Sequence, residues 1–214
     1  MGKELYFDIL DDRRRELLPL FVKLKDKFYL AGGTGLALQI GHRDSVDFDF
    51  FTAESFLPDN LFEELEGIFS RYKIVKSQED KDTLIVTIGD VIKISFLSYP
   101  YELIKLLVDG EDLMIASVED IGAMKLSAII GRSAYKDYVD LYFVLRKVNL
   151  KELLDVATKK FPTLDMNLIL KSLVYFDDLK EEPIAYKHDN NVDIGTIKQF
   201  LSTTVKNYLS SRQL

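Results

Sequence analysis

Residues 31–51 read AGGTGLALQIGHRDSVDFDFF, and this stretch decides the fold. A glycine pair and a threonine predict a tight turn from a short apolar strand into a helix, whose first backbone N–H groups can approach an anion. The helix is apolar and ends at Gly41. The alternation that follows predicts a strand with Asp47 and Asp49 on one face and two phenylalanines on the other. Phosphate-handling sites combine such a turn with carboxylates that hold a hard cation.

Each part of this stretch also has a simpler explanation. A glycine turn most often only connects a strand to a helix, and no Gly-Lys-Ser/Thr follows to make a P-loop. A pair such as Asp47 and Asp49 most often lies on a solvated strand face. Here the two carboxylates are close enough to repel each other, and no Lys or Arg alternates with them. The unneutralised pair therefore favours a cation site, and Mg²⁺ is a hard cation that prefers oxygen ligands.

The composition excludes several classes of protein. The chain has 214 residues, of which 47% are hydrophobic and 29% charged, an ordinary globular balance. Its net charge of −7 argues against a broad grip on nucleic-acid phosphates, so we expect no DNA partner. The absence of cysteine excludes disulfides and thiolate chemistry. The sequence contains no signal-peptide or membrane-spanning pattern, and we expect a cytoplasmic protein that does not bind membranes.

Hydrophobic periodicity predicts an α+β first half and an all-helical second half. The chain begins with an interrupted helix over 3–26 that breaks near Pro19. Strands are then predicted at 28–31, 45–51, 72–76, 83–88 and 91–97, and helices at 34–40, 58–71 and 99–107. Beyond residue 116 only helices are predicted, at 117–132, 136–146, 150–161, 165–175 and 194–209. We therefore expect two domains, 1–115 and 116–214.

A second group of charged residues lies where two helices of the second half meet. Lys125 and Arg132 are two turns apart on one helix, and Lys136, Asp137 and Asp140 follow on the next. On that next helix, the spacings of three and four residues place the side chains side by side. Such a cluster forms a structural ion network or presents cations to a triphosphate. The spacing favours the structural role for Lys136 and Asp140 and leaves Lys125 open.

These residues carry a resemblance to a known family. The stretch GGTGLALQIGHRDSVDFDFF, residues 32–51, resembles the first motif of the AbiEii/AbiGii-type nucleotidyltransferase toxins, within the DNA polymerase β-like nucleotidyltransferase superfamily. AMKLSAIIGRSAYKDYVDLY, residues 123–142, resembles the helical motif of that family. SLVYFDD, residues 172–178, is a weaker match to its late acidic motif. The resemblance implies a small mixed β-sheet with flanking helices, followed by a helical domain that closes over a nucleotide.

The resemblance also implies roles for individual residues. The glycine turn would hold the nucleotide phosphates, two carboxylates would hold Mg²⁺, and the helical cluster would contact and organise the triphosphate. We expect the catalytic residues to be Asp47, Asp49, Lys125, Asp137 and Asp140, with Asp47 and Asp49 as the metal ligands. We expect the substrate-binding residues to be Gly32, Gly33, Thr34, His42, Arg43, Ser45, Arg132 and Lys136. His42 is expected to anchor its loop or position the substrate rather than act as the base. Asp177 or Asp178 would be the late acid.

The function implied is a Mg²⁺-dependent transfer of a nucleoside monophosphate from an NTP to a hydroxyl of RNA or protein. Such a chain can be the toxin of a toxin–antitoxin pair, with a cognate antitoxin as its partner. One departure from the superfamily matters, because its usual third carboxylate is missing from the strand VIKISF, where Lys93 and Ser95 share one face. Either a helical aspartate substitutes for it or the metal chemistry is altered. The alternatives are a nucleotide-binding module without transfer activity and a transferase of the γ-phosphate.

Overall fold

The structure is a computed structural model that describes residues 4–212. Its strands are β1 Tyr29–Leu30, β2 Phe48–Thr52, β3 Ile74–Asp80, β4 Thr83–Ile88, β5 Ile92–Ser98, β6 Val108–Asp109 and β7 Met114–Ile115. Its α-helices are α1 Asp12–Arg15, α2 Leu18–Phe21, α3 Gly32–Ile40, α4 Pro58–Ile68, α5 Val118–Gly131, α6 Tyr135–Leu145, α7 Leu150–Lys160, α8 Met166–Leu173 and α9 Ile194–Ser211. Across residues 4–212, no helix combines the length and the apolar character that a bilayer crossing needs.

The strands form one mixed sheet in the order β3-β4-β5-β2-β1-β7-β6. β2 lies at its centre, parallel to β5 and antiparallel to β1, and β1 is parallel to β7. This arrangement confirms the predicted α+β class with a mixed sheet and flanking helices. The division into domains 1–115 and 116–214 stays a prediction.

The two faces of β2 have opposite environments, as its alternation predicts. Phe48 and Phe50 are buried, and both pack edge-on against Phe21 of α2, with ring centroids 4.9 and 5.0 Å apart. Asp49 and Phe51 point to the opposite face, where a cavity separates the sheet from α5. Burial of each phenylalanine stabilises the fold by about 2–3 kcal/mol. The aromatic core therefore fixes which face carries the carboxylate.

The helical half has its own core, which reaches back to α3. Leu36 of α3, Leu126 of α5 and Leu153 of α7 are all fully buried in one apolar cluster. Gly122 of α5 allows α7 to come close, because a Cβ there would lie 2.8 Å from Leu153. Since α3 contacts both α5 and α6, the glycine turn at its start faces the helical half.

Two predicted boundaries in the opening stretch are wrong by two or three residues. The helix begins at Gly32 rather than Thr34, and the strand begins at Phe48 rather than Ser45. Side chains bind the backbone carbonyls just before the strand, so these carbonyls are not part of the ladder. Arg14 Nε donates to Val46 O at 2.6 Å, and the Thr34 hydroxyl donates to Asp47 O. Asp47 therefore lies in a loop, and only Asp49 lies in the strand.

The helix predicted over 99–107 is wrong, because buried Asp120 binds the backbone of this segment. Its carboxylate accepts hydrogen bonds from the backbone N–H groups of Ile104 and Lys105, at 3.0 and 2.9 Å. The same carboxylate accepts from Lys160 Nζ at 2.9 Å, and both side chains are completely buried. Lys160 Nζ also donates to Glu102 O at 2.8 Å. A buried ion pair therefore holds the segment as an irregular loop.

We predict that Lys160→Met lowers the free energy of unfolding by about 3 kcal/mol, because Asp120 keeps a buried charge without its partner. Guanidinium denaturation measures this change. Lys151→Met is the matched control on the same helix, since Lys151 pairs with Asp155 at the surface. The control should change stability by less than about 0.5 kcal/mol. Equal effects of the two substitutions would contradict a special role for the buried pair.

Candidate functional site

A cleft separates the sheet from α5 and α6, and it has two connected parts. One part, of about 410 Å³, is lined by charged residues of the 43–49 loop and of α6. The other, of about 550 Å³, lies between α5 and the face of the sheet that carries Asp49. Gly33, Asp49, Lys125 and Arg132 line both parts. The volumes are within the usual range of small-molecule sites.

The glycine turn lets charged groups approach the backbone directly. Gly32 has a φ of +61°, and a Cβ on it would lie 2.6 Å from Asp49 Oδ2. A Cβ on Gly33 would lie 2.6 Å from Arg43 Nη2. Only glycine leaves the room that these contacts need. The turn also begins α3, whose first N–H groups have no carbonyl partner within the helix and can bind an anion.

Asp49 and Asp47 form the acidic side of the cleft. Burial raises the pKa of Asp49, a hydrogen bond from Ser95 lowers it, and the charge of Asp47 raises it again, with the net effect upward. Two carboxylates that repel each other suit a divalent cation, because a bound cation offsets the repulsion between them. Mg²⁺ commonly takes one or two carboxylates and completes its shell with water and substrate phosphates. The pair therefore fits such an ion.

Asp140 of α6 is the centre of a buried ion network behind the cleft. It accepts from Arg43 Nε and Nη2 at 2.8 and 3.0 Å, and it lies 2.7 Å from Lys125 Nζ. His42 Nε2 lies 2.8 Å from the same carboxylate. Burial alone would raise the pKa of Asp140, but the charges of Lys125 and Arg43 and the hydrogen bond from His42 hold it well below its usual range. Asp140 therefore stays ionised and fixes two cations at the cleft.

Asp137, one turn earlier on α6, binds the cations that line the cleft. It accepts from Lys125 Nζ at 2.6 Å and from Arg132 Nε at 2.9 Å. The Lys125 side chain is 10% exposed, whereas that of Arg132 is 65% exposed. Lys125 is thus held rigidly in the wall, and Arg132 extends into the open cleft. Lys136 lies exposed at the rim and has no ion pair among residues 4–212.

Comparison with known proteins shows the family to which this chain belongs. The family model described as the nucleotidyl transferase AbiEii toxin of the type IV TA (toxin–antitoxin) system matches residues 20–203. The chain belongs to this family. The uncharacterized protein aq_aa25 of Aquifex aeolicus (strain VF5) is 39% identical over 208 residues, which cover 94% of this chain and 98% of that protein.

Solved structures similar to this AbiEii-family chain agree with the fold. JHP933 from Helicobacter pylori has a TM-score of 0.57 at 17% identity, covering 98% of this chain and 96% of that one. MenT4, the nucleotidyltransferase toxin Rv2826c of Mycobacterium tuberculosis H37Rv, has a TM-score of 0.58 at 16% identity, covering 91% of this chain and 81% of that one. At these identities the likeness shows the fold, which confirms the nucleotidyltransferase architecture.

Three predicted site residues of this AbiEii-family chain, Thr34, His42 and Ser45, lie behind the surface of the cleft or at its edge. Thr34 is buried, and its hydroxyl lies 2.7 Å from that of Ser45, which lines the cleft. His42 is completely buried against Asp140 and does not line the cleft. The positions of Thr34 and His42 suit anchoring of the 42–47 loop rather than direct contact with a substrate. Their roles as substrate-binding residues stay predictions.

The late acidic motif lies outside the cleft. Asp177 and Asp178 are exposed in the turn after α8. Asp178 lines a separate groove beside α8, which meets the cleft at Gly131 and Arg132. The weak match over residues 172–178 therefore does not bring a carboxylate next to Asp47 and Asp49.

Two contributors to the cleft had no clear signal in the sequence. Residues 183–185 line it, because this segment pairs with the loop before β2. Asp44 N donates to Ala185 O at 2.8 Å, and Lys187 N donates to His42 O at 3.1 Å. Arg14 is the second contributor, since it holds the carbonyl of Val46. The segment is too short and irregular for a periodic pattern, and Arg14 is one of three consecutive arginines.

We predict that Asp140→Asn destabilises the protein by about 3 kcal/mol at pH 7, because it leaves buried cations unpaired. The folded pKa of Asp140 is depressed, so its contribution is present above the unfolded value near 3.9 and is lost as pH falls through the folded pKa. The difference between wild type and variant should therefore stay constant from pH 7 to about 5 and shrink below about 4. Chemical denaturation at each pH measures it, with Asp155→Asn as an exposed control. A difference that grows in acid would contradict this account.

Proposed function

We propose that the chain transfers a nucleoside monophosphate from an NTP to a hydroxyl of RNA or protein, in a Mg²⁺-dependent reaction. We propose further that it is the toxin of a toxin–antitoxin pair. The observation that carries the proposal is the convergence on one cleft of the glycine turn, the pair Asp47 and Asp49, and the cations of α5. Membership of the AbiEii family supports both the reaction class and an antitoxin partner.

The cations of the cleft suit a triphosphate. Lys125 gives two of its three N–H donors to Asp137 and Asp140 and retains one for a phosphate oxygen. Arg132 gives its Nε to Asp137, so its two terminal nitrogens are free to form the paired hydrogen bonds that phosphates accept. The backbone of Gly33 can approach a phosphate from the opposite wall.

Asp47 and Asp49 would hold the Mg²⁺ ion. When bound, the ion would neutralise the triphosphate and polarise the α-phosphoryl group. In the transfer, the acceptor hydroxyl loses its proton to solvent as its oxygen bonds to the α-phosphorus, and the bond from that phosphorus to pyrophosphate breaks. Lys125 and Arg132 would stabilise the charge that develops on the departing pyrophosphate. Asp137 binds both cations before substrate arrives, so little reorganisation is needed.

The acceptor would enter through the other part of the cleft. Ile85, Ser95 and Leu97 form its floor on the sheet, and they lead to Asp49 from the side away from the 43–47 loop. An acceptor hydroxyl on this floor would meet the α-phosphorus opposite the pyrophosphate, which in-line transfer requires. The chain as a whole is acidic, so an RNA acceptor would depend on local contacts rather than on overall charge.

A nucleotide-binding module without transfer activity is the second candidate. It is favoured by Ser95 of β5, which lies opposite Asp49 of β2. The wider superfamily usually has a third metal-binding carboxylate on this strand. The two candidates differ in their products, because only a transferase releases pyrophosphate. A γ-phosphate transferase, the third reading, would instead release a nucleoside diphosphate.

We predict that Asp49→Asn abolishes transfer of label from α-labelled NTPs to total RNA or total protein, while the thermal stability stays near that of wild type. The physical reason is the loss of one of two metal ligands. Asp90→Asn is the matched control, since Asp90 lies in an exposed hairpin at a φ of 64° that asparagine tolerates. Labelling by Asp49→Asn at the wild-type rate would sink the proposal. Binding of NTP without labelling by wild type would favour the second candidate.

A further inference from the structure

The place beside Asp49 on the neighbouring strand decides how many cations the cleft can hold. β2 and β5 are parallel, and Asp49 is directly opposite Ser95. Ser95 is buried and hydrogen-bonds to the Asp49 carboxylate. Lys93 lies two residues earlier on the same face of β5, about 7 Å away along the strand. The two positions nearest to the acidic pair on β5 are thus a hydroxyl and an ammonium.

The helical aspartates cannot replace the missing carboxylate. Both oxygens of Asp137 are bound to cations, one to Lys125 and the other to Arg132. Asp140 has no exposed surface, and its oxygens are bound to Arg43, His42 and Lys125. Within residues 4–212, no group of three or more His, Cys, Asp or Glu side chains is placed to hold a metal. Asp44 also lines the cleft but pairs with Lys187 Nζ at 3.1 Å, so among residues 4–212 the carboxylates of the cleft without a cationic partner are Asp47 and Asp49.

We propose that this cleft takes a single divalent cation, and that the Lys93 ammonium is a positive charge near the acidic pair that disfavours a second ion. This inference rests on the proposed function, since it deepens the description of the same site. Ser95 offers no negative charge to attract a second ion, and Lys93 repels one.

The surroundings of Lys93 support this assignment. Its side chain is exposed and forms no ion pair within the part of the chain that the structure describes. Lys93 directly precedes Ile94, which pairs with Phe48 at the start of β2, so Lys93 lies near the beginning of the strand that carries Asp49. Its charge reaches the acidic pair, because it is one of the two cations that lower the pKa of Asp49.

The test counts Mn²⁺ ions, so it does not depend on turnover. Equilibrium dialysis gives the number bound per chain, with an α,β-methylene analogue of each of the four ribonucleoside triphosphates. Electron paramagnetic resonance then shows whether the bound ions are spin-coupled, as ions about 4 Å apart would be. We expect one uncoupled ion in wild type and a coupled pair in Ser95→Asp. Thr87→Asp is the matched control, since Thr87 lies one strand further out, opposite Lys93, and should leave one ion.

A second variant keeps the test decisive if Ser95→Asp does not fold. Lys93→Ala removes the positive charge at the surface, and the Kd for Mn²⁺ should fall about threefold because the acidic pair loses a repulsive neighbour. A coupled pair in wild type would overturn the proposal, and so would an unchanged Kd in Lys93→Ala. If the count is one and no acceptor is labelled, the proposed transfer fails while the single-cation site stands. If two ions are bound and an acceptor is labelled, the single-cation site fails while the proposed transfer stands.

Discussion

The buried carboxylate of Asp140 is the contact on which the cleft depends. It joins the loop before β2 to α5 and α6, through Arg43, His42 and Lys125. A charge removed from water is unstable unless it is fully paired, so the three elements must assemble together or not at all. Since Asp140 is deeper than the cations, it directs them towards the cleft. The network thereby joins the sheet and the helical half and, in the proposed function, would hold the cations ready for an anionic ligand.

The same network limits the chemistry that the cleft can perform. The helical aspartates are bound to cations, whereas Asp47 and Asp49 have no cationic partner among residues 4–212. The glycine turn lets a carboxylate and a guanidinium approach the same short stretch of backbone, because Gly32 lies against Asp49 and Gly33 lies against Arg43. Opposite charges therefore face each other across a few ångströms of backbone. A metal–triphosphate complex carries both signs of charge and matches this arrangement.

The sequence predicts the parts of the fold that have a local cause. The alternation in β2 and in β4 gives their faces, and Gly41 ends α3 with a φ of +64°. The motif positions likewise place Asp49, Lys125 and Arg132 around the glycine turn. By contrast, β6 and β7 have two residues each, which is too few for a period.

Contacts between distant residues could not be predicted from the sequence. Periodicity suggested a helix over 99–107, whereas Asp120 and Lys160 hold that segment in a loop. Spacing suggested that Lys136 pairs with Asp140, whereas Asp140 binds Arg43, 97 residues away, together with His42 and Lys125. Which charged side chains pair depends on their burial and on the geometry of the fold. The spacing of residues along the sequence gives no information about either. The site could therefore be predicted as a list of residues, but not as a network.

Hydrogen–deuterium exchange with a non-hydrolysable NTP analogue and Mg²⁺ tests most directly whether both halves of the cleft hold one nucleotide. The account predicts slower exchange in two segments at once, residues 32–35 at the start of α3 and residues 131–137 between α5 and α6. Asp140→Asn should weaken both effects together, because it loosens the contact that joins the two halves. Protection of only one segment, or of the groove beside α8 instead, would contradict a nucleotide site built between the sheet and the helices.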